Sequence, residues 1–578
     1  MITNNLSYPT DPYAPPITGI FHNQTPRNTS LAGRYTVYIP NNFEHCSQAI
    51  LILPDNQMTA QGFFESTDGQ AWKSTADING IVIVVAESYQ NAGWNLTNAI
   101  NMRDDEEFLY GVVDTIRQKY STIPAAFNLD ERSLYLVGYN SGGIAAHKMA
   151  MHWPQLFGGL ISINGSDVPS SVISAFGNTF SYPFIAGQNS DGRETIGLNN
   201  KDIPLPVWMI STTSIPNNVA VKNYWVAADN AIEDEPNEYA QTTYINGATR
   251  IWLTTGATIP TPTVLFENFL NEALRYTNTP GGKLEWRVKT ENVSGKGFIY
   301  TEATIDGKLR RWYTYVPSTY NDANEYPLIV AMHGGSNSAE AFIGDSRWHE
   351  AAEEYGLLVV FPQAYPCPLP SFGWIPVPVW NQYIVSPSSP PDDVAFIREV
   401  ITRTSQNYNV NAKKIFATGH SNGAGMTWRL GLDAPELFAA IAPAGWTISA
   451  IPGESPVPSL TSPLPVWLFM GRYDQVGADE FKNGNSNDMC LKYWANRNGF
   501  DYTKLTTEYD QSGNYYSRVW TNGTDNIPLF KFTSVTECPH IYVPYECELL
   551  WEQFFSKITL ETNGKRYFDG QEIVNGNN

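Results

Sequence analysis

The chain repeats itself, and that repetition limits its possible folds more tightly than any other feature. Arg34-Tyr-Thr-Val-Tyr-Ile-Pro40 returns as Arg311-Trp-Tyr-Thr-Tyr-Val-Pro317, and Gly80-Ile-Val-Ile-Val-Val-Ala86 returns as Gly356-Leu-Leu-Val-Val-Phe-Pro362. Asp104-Asp105, followed by Phe108 and Leu109, matches Asp392-Asp393, followed by Phe396 and Ile397, and each pair opens a stretch of helical periodicity. Leu134 to Gly143 aligns with Ile415 to Ala424, Pro206-Val-Trp-Met with Pro465-Val-Trp-Leu, and Leu265-Phe-Glu-Asn-Phe269 with Leu550-Trp-Glu-Gln-Phe554. The matches keep their order, so the chain contains two copies of one domain.

Within each copy, continuous apolar runs alternate with amphipathic segments. Such runs suit parallel strands buried on both faces by crossover helices, so the expected class is α/β, with a mostly parallel sheet covered on both faces in each copy. The join falls near the turn-rich Asn278-Thr-Pro-Gly-Gly282, which divides the 578 residues into expected domains 1–279 and 280–578. Beyond it, Phe298 to Ile305 and Leu309 to Val316 flank Asp306-Gly307, a hairpin signal that begins the second domain.

Charge narrows the partners. A formal net charge of -21 repels phosphate backbones and anionic lipid surfaces, and no Lys/Arg cluster reverses it locally, so nucleic acid is not an expected partner. No apolar run approaches the ~20 residues that span a bilayer, and the first residues lack the basic and apolar regions of a signal peptide, so neither a membrane nor a leader is expected. Five cysteines (Cys46, Cys367, Cys490, Cys538 and Cys547) are too few for a disulfide-built scaffold, though one or two bridges in the second half would suit an exported protein. No zinc spacing occurs, and neither metal nor organic cofactor is expected.

The chemistry concentrates in the second copy. Gly419-His-Ser-Asn-Gly423 fits the nucleophile elbow G-x-S-x-G and lies between an apolar strand and a helix, the context that the motif needs. The hydroxyl of Ser421 becomes a nucleophile only when a histidine takes its proton and an acid orients that histidine. His540 is the only histidine after Ser421, and Asp474 follows the strand Pro465 to Met470 in the turn Gly471-Arg-Tyr-Asp-Gln, where a strand end delivers a carboxylate to the sheet edge. Asp479, Glu480 and Asp488 are nearby alternatives. For the tetrahedral oxyanion, one donor is expected from the amide of Asn422 and the other from the glycine-rich loop His333-Gly-Gly-Ser336.

These motifs together resemble the polyhydroxybutyrate depolymerase-like esterases, a group of the α/β-hydrolase fold that is also similar to feruloyl and acetylxylan esterases. The resemblance rests on His333-Gly-Gly335, Asp392-Asp-Val-Ala-Phe-Ile397, Gly419 to Gly423, Gly471 to Asp474 and Cys538-Pro-His540, and covers about Arg311 to Ile558. It implies Ser421, Asp474 and His540 as a triad, Gly335 with Asn422 as amide donors, and an extracellular or cell-surface location.

The first copy lacks all of this. Ser421 aligns with Asn140; centring the motif on Ser141 instead would place bulky Tyr139 where the turn needs a small residue. Asp474 aligns with Ile215, His540 falls near Thr255, and His333-Gly-Gly becomes Pro54-Asp-Asn56, while the core strands persist. The first copy is therefore expected to be inactive, serving either as a packing partner for the second or as a wall that holds a polymer.

The expected function is serine ester hydrolysis through an acyl-enzyme, with polyester or ester-decorated polysaccharide as substrate. A serine peptidase or amidase would use the same machinery, and a non-catalytic polymer-binding protein is the rival from another class. Between the third strand and the elbow lies the proline-rich stretch Pro366 to Trp380, which belongs above the carboxyl edge of the sheet. Trp374, Trp380 and Trp446, with His420 beside the nucleophile, are the candidate substrate contacts.

Overall fold

The computed structural model describes residues 18–26, 33–43, 47–89, 93–95, 103–117, 129–175, 179–181, 197–199, 203–212, 218–256, 258–275, 284–288, 290, 297–368, 376–382, 390–448, 460–472, 474, 481, 485–505, 507–511, 515–523, 525–535, 540–542 and 546–575. They fall into two compact units that divide between Arg287 and Val288.

The first unit is built on ten strands: β1 (Gly19–Gln24), β2 (Tyr35–Ile39), β3 (Ser47–Leu53), β4 (Val82–Ala86), β5 (Leu129–Tyr139), β6 (Gly159–Ile163), β7 (Val207–Ser211), β8 (Ile232–Asp234), β9 (Thr242–Asn246) and β10 (Thr249–Thr255). Their order in the sheet is β1-β2-β4-β3-β5-β6-β7-β10-β9-β8. The second unit has β11 (Gly297–Ile305), β12 (Lys308–Val316), β13 (Tyr326–Met332), β14 (Leu358–Pro362), β15 (Val410–His420), β16 (Ala440–Ala444), β17 (Val466–Gly471), β18 (Thr507–Gln511), β19 (Tyr515–Thr521) and β20 (Pro528–Val535). Its order, β11-β12-β14-β13-β15-β16-β17-β20-β19-β18, repeats the first strand for strand. In both sheets the six central strands run parallel, and antiparallel pairs close the two edges.

Register positions the site. In the second unit Met332 pairs with Gly419, His420 with Ala444, and Gly471 with Val535. The central strands thus end nearly flush, and the loops after β13, β15, β16, β17 and β20 leave from one edge. That edge is anchored in a dry core: every residue of β16 and β17 is buried, so sliding a strand by one residue would exchange the side chains packed against its two buried faces.

The Asp-Asp pair that recurs in the sequence has two separate tasks. Asp392 caps helix Asp393–Asn407 by accepting from the Ala395 amide at 3.0 Å, and Val394, Ile397, Val400, Ile401 and Thr404 line its buried face. Asp393 is itself buried, and accepts from Arg310 at 2.6 Å and from the Asn381 amide at 2.7 Å. Breaking such an enclosed pair leaves one charge stranded and costs about 3 to 5 kcal/mol. In the first unit Asp105 repeats the arrangement with Arg103 and the Asn95 amide.

Cys367, Cys490 and Cys547 are buried thiols outside any disulfide, and burial raises all three to about 12. Cys46 and Cys538 lie outside the described residues. Among the described residues, no helix is long and apolar enough to cross a membrane.

Candidate active site

Ser421 sits at the turn between β15 and helix Asn422–Asp433 with φ 53° and ψ -116°, a conformation that costs a non-glycine residue about 1 to 3 kcal/mol. Its neighbours make the turn possible. A Cβ on Gly419 would stand 2.6 Å from the carbonyl oxygen of Gly423, and one on Gly423 would stand 2.3 Å from that of Met332, so both positions exclude a side chain. The Ser421 amide donates to the Ala444 carbonyl at 2.8 Å, tying the turn to β16.

Asp474 follows β17 in a turn closed by its own amide donating to Gly471 O at 3.0 Å. Its Oδ1 lies 2.7 Å from Nδ1 of His540. The Asp474 side chain is 1% exposed and that of His540 39%, so a shielded carboxylate orients an accessible imidazole. With Nδ1 committed to the acid, Nε2 is left as the basic nitrogen. Among the described residues the Ser421 hydroxyl makes no direct hydrogen bond to the His540 ring, although His420, the residue before the nucleophile, has its ring centroid 4.6 Å from that ring. The serine–histidine contact is one that commonly tightens only when substrate is bound. Of the other acids, Asp488 is paired with Lys492 at 2.7 Å, and Asp479 and Glu480 lie outside the described residues.

The glycine-rich loop after β13 approaches the elbow closely: a Cβ on Gly334 would be 3.5 Å from that of Ser421. His333 holds the loop. The Ala364 amide donates to its Nε2 at 3.0 Å, so its proton resides on Nδ1 and is donated to Gly334 O at 2.6 Å. Burial lowers this ring to about 4, which keeps it neutral at ordinary pH. Ser336 turns the loop with φ 58° and donates to Pro378 O at 2.8 Å. The backbone amides of Gly335 and Asn422 have no intramolecular acceptor among the described residues, which leaves two donors available beside the hydroxyl.

The other expected contacts divide. Trp374 lies outside the described residues. Trp446 is partly buried at this edge, directly after Gly445, whose Cβ would stand 2.9 Å from Nε2 of His420 and 3.2 Å from Oδ2 of Asp474. Burial, and then the neighbouring His540, push His420 well below its ordinary value, so it stays uncharged beside the catalytic candidate. Trp380 is the correction: it is fully buried, stacks on Phe396, and donates its indole N–H to His333 O at 2.9 Å, so it supports the loop from behind and does not line a substrate wall. The dipeptide Trp380-Asn381 recurs as Trp94-Asn95, a repeat signal that marks a structural role in both copies.

The first unit keeps the elbow and fills it. Asn140 has φ 48° and ψ -118°, and its amide donates to Ile163 O at 2.8 Å, the same arrangement as at Ser421. Asn56 and Ser141 occupy the positions of Gly335 and Asn422. Their amides both donate to Oδ1 of Asp55, at 2.9 and 3.4 Å, and the Ser141 hydroxyl donates to the same oxygen at 2.6 Å. The pocket that would hold an oxyanion is occupied by the chain's own carboxylate. Residue 215, the counterpart of Asp474, lies outside the described residues.

Two sheets of this strand order, each with a strained turn after its fifth strand, define the chain as a tandem pair of α/β-hydrolase units. Its sequence is similar to acetylxylan esterases: 28% identical over 240 residues to probable acetylxylan esterase A of Aspergillus fumigatus, covering 36% of this chain and 61% of that protein. It is also 35% identical over 128 residues to acetylxylan esterase A of Talaromyces purpureogenus, covering 22% of this chain and 31% of that protein. The chain thus spans less than two thirds of the length of either relative. No protein-family model matches it. Solved structures that align with it include the acetyl xylan esterase of Aspergillus awamori (18% identity, TM-score 0.32, 45% of this chain and 99% of that one). Another is the feruloyl esterase module of Clostridium thermocellum (13% identity, TM-score 0.30, 46% and 89%).

Proposed function

We propose that the second unit is a serine carboxylic ester hydrolase acting on ester groups that decorate polysaccharides, and that the first unit, residues 1–279 in the sequence partition, is a catalytically silent copy. The observation that carries this reading is the shielded Asp474 carboxylate 2.7 Å from His540, beside a strained serine and two unpartnered amides. The names of the curated relatives favour an acetylated polysaccharide over a polyester. A polymeric substrate of that kind places the enzyme outside the cell or at its surface.

In the first step the Ser421 oxygen attacks the ester carbonyl while His540 Nε2 takes its proton, and the carbonyl oxygen becomes an anion facing the Gly335 and Asn422 amides. Each well-aimed donor contributes about 3 to 4 kcal/mol to such a transition state. His540 then gives its proton to the departing sugar oxygen as the ester C–O bond breaks, so the sugar leaves as the free hydroxyl and the acyl group stays on Ser421. Water, deprotonated by the same imidazole, attacks the acyl carbon; collapse returns the serine and releases the acid. Asp474 keeps Nδ1 protonated and stabilises the imidazolium that forms twice per cycle.

The test is a substrate panel on the full chain: acetylated xylan, methyl ferulate, a polyester film and p-nitrophenyl esters of increasing acyl length. Release of acetate from the xylan, with p-nitrophenyl acetate preferred over longer acyl chains, is the expected result. Hydrolysis of the polyester alone, or of amides only, would refute it.

A further inference from the structure

Trp380 is hydrogen-bonded to both halves of the pocket proposed to hold the oxyanion. Its indole N–H donates to His333 O at 2.9 Å, on the loop that carries Gly335. Its backbone N–H donates to Asn422 Oδ1 at 2.5 Å, and its carbonyl accepts from Asn422 Nδ2 at 3.3 Å, on the elbow. The ring is fully buried between Phe396 and His333, so the brace is rigid at its centre. The backbone beyond it is fixed as well, because the Asn381 amide and side chain are bonded to Asp393 and to Pro391 O.

The first unit shows which of these contacts accompanies chemistry. Trp94 still donates its indole N–H, to Pro54 O at 3.1 Å, so support of the loop survives. Its backbone amide instead donates to Asn56 Oδ1 at 3.1 Å, on that same loop. Ser141, at the position of Asn422, is too short to reach back and is bonded to Asp55. Where the nucleophile has been lost, the tie from the tryptophan to the elbow has been lost with it.

We infer that Trp380 is a positioning residue for the esterase reaction: together with the Asn422 side chain it sets the separation and aim of the Gly335 and Asn422 amides. The inference rests on the esterase reading of the second unit. An error of about an ångström in aim is costly to a preorganised donor pair, whereas substrate binding in the ground state makes little use of it.

The experiment compares Trp380→Phe, which keeps a buried ring and removes the indole donor, with Asn422→Ala, which keeps the backbone amide and removes the clamp. Steady-state kinetics with p-nitrophenyl acetate would be read beside the affinity for an alkyl trifluoromethyl ketone, whose serine adduct carries an oxyanion. Expected for Asn422→Ala is a fall in kcat of about tenfold or more with KM within about twofold and a parallel loss of ketone affinity; Trp380→Phe, which removes only the loop contact that the first unit also keeps, should lower both by less, and the double variant should be little worse than Asn422→Ala. If Trp380→Phe does not fold, Asn422→Ala decides alone. Unchanged kcat and ketone affinity would overturn the inference, as would a rise in KM with kcat intact, since that would make the residue a substrate contact. A wild-type chain without turnover and without ketone binding would instead remove the esterase reading itself.

Discussion

At the tip of the fifth strand the two units share a backbone and carry different side chains. Asn140 and Ser421 differ by 5° in φ and 2° in ψ (48° and -118° against 53° and -116°), and each is tied to its sixth strand by a 2.8 Å amide bond. In one unit the residue there is an amide-bearing side chain and the adjoining pocket is filled by Asp55; in the other it is a hydroxyl and the pocket is lined by glycines. The backbone strain is therefore a property of the turn, retained where no nucleophile uses it. In the proposed reading, function follows from what is added to that turn: an imidazole, an acid and room for an oxygen anion.

The comparison can be broken most forcefully at the nucleophile. Ser421→Ala should lower p-nitrophenyl acetate turnover by about 10^4-fold or more, while Asn140→Ala and Ser141→Ala should leave kcat/KM within about twofold. A large loss from either of the latter would show that the first unit is not silent. Asp474→Asn should cost about 10^3- to 10^4-fold in kcat, because the amide favours the wrong tautomer of His540.

The carboxylate in the first unit can be transplanted. Gly334 occupies the position of Asp55, has no positive φ, and a Cβ there would meet nothing nearer than 3.5 Å. Gly334→Asp should therefore fold and place a carboxylate against the Gly335 and Asn422 amides, lowering kcat by about 10^2-fold, whereas Gly334→Ala should cost no more than about threefold. Equal losses in the two variants would mean that crowding, not occupation of the pocket, is responsible.

The smallest effect concerns Asp55 itself. Burial raises this carboxyl, but hydrogen bonds from Ser141, Asn56 and Asn140 outweigh burial and hold it below its ordinary value. A group lowered in this way adds stability that is complete above the ordinary carboxylate range and is lost as pH falls through the folded value. Asp55→Asn should lower stability by about 1 kcal/mol at pH 7, a shift of about 2 to 4 °C in the affected calorimetric transition, and the gap should close in acid.

What could be read beforehand depended on whether a signal was periodic or directional. Two copies of an alternating apolar and amphipathic pattern lead directly to two α/β sheets, and the ordered matches anticipate their equal strand order. The alignment of Ser421 with Asn140, preferred because Tyr139 would crowd a turn centred on Ser141, places the strained φ at Asn140 in the structure. His540 and Asp474, chosen by elimination and by position at a strand end, are 2.7 Å apart. Trp380 was misjudged for a physical reason: a proline-rich loop above a sheet edge reveals its location but not which way an indole points, and this one points inward. The repeated Trp-Asn dipeptide, set beside the repeated Asp-Asp pair, was the available clue, since contacts kept in both copies serve the scaffold. Asp55 could not be foreseen as an occupant, because its carboxylate bonds Asn140 and Ser141, 85 and 86 positions away, and that distance closes only in the folded sheet.

The central claim, that one serine on one of two equal elbows is activated, can be tested by treating the folded full-length chain with a fluorophosphonate and mapping the adduct by peptide mass spectrometry. A single adduct on Ser421, absent in Asp474→Asn over the same interval, is the predicted result. An unlabelled chain, or an adduct on Ser141, would contradict it.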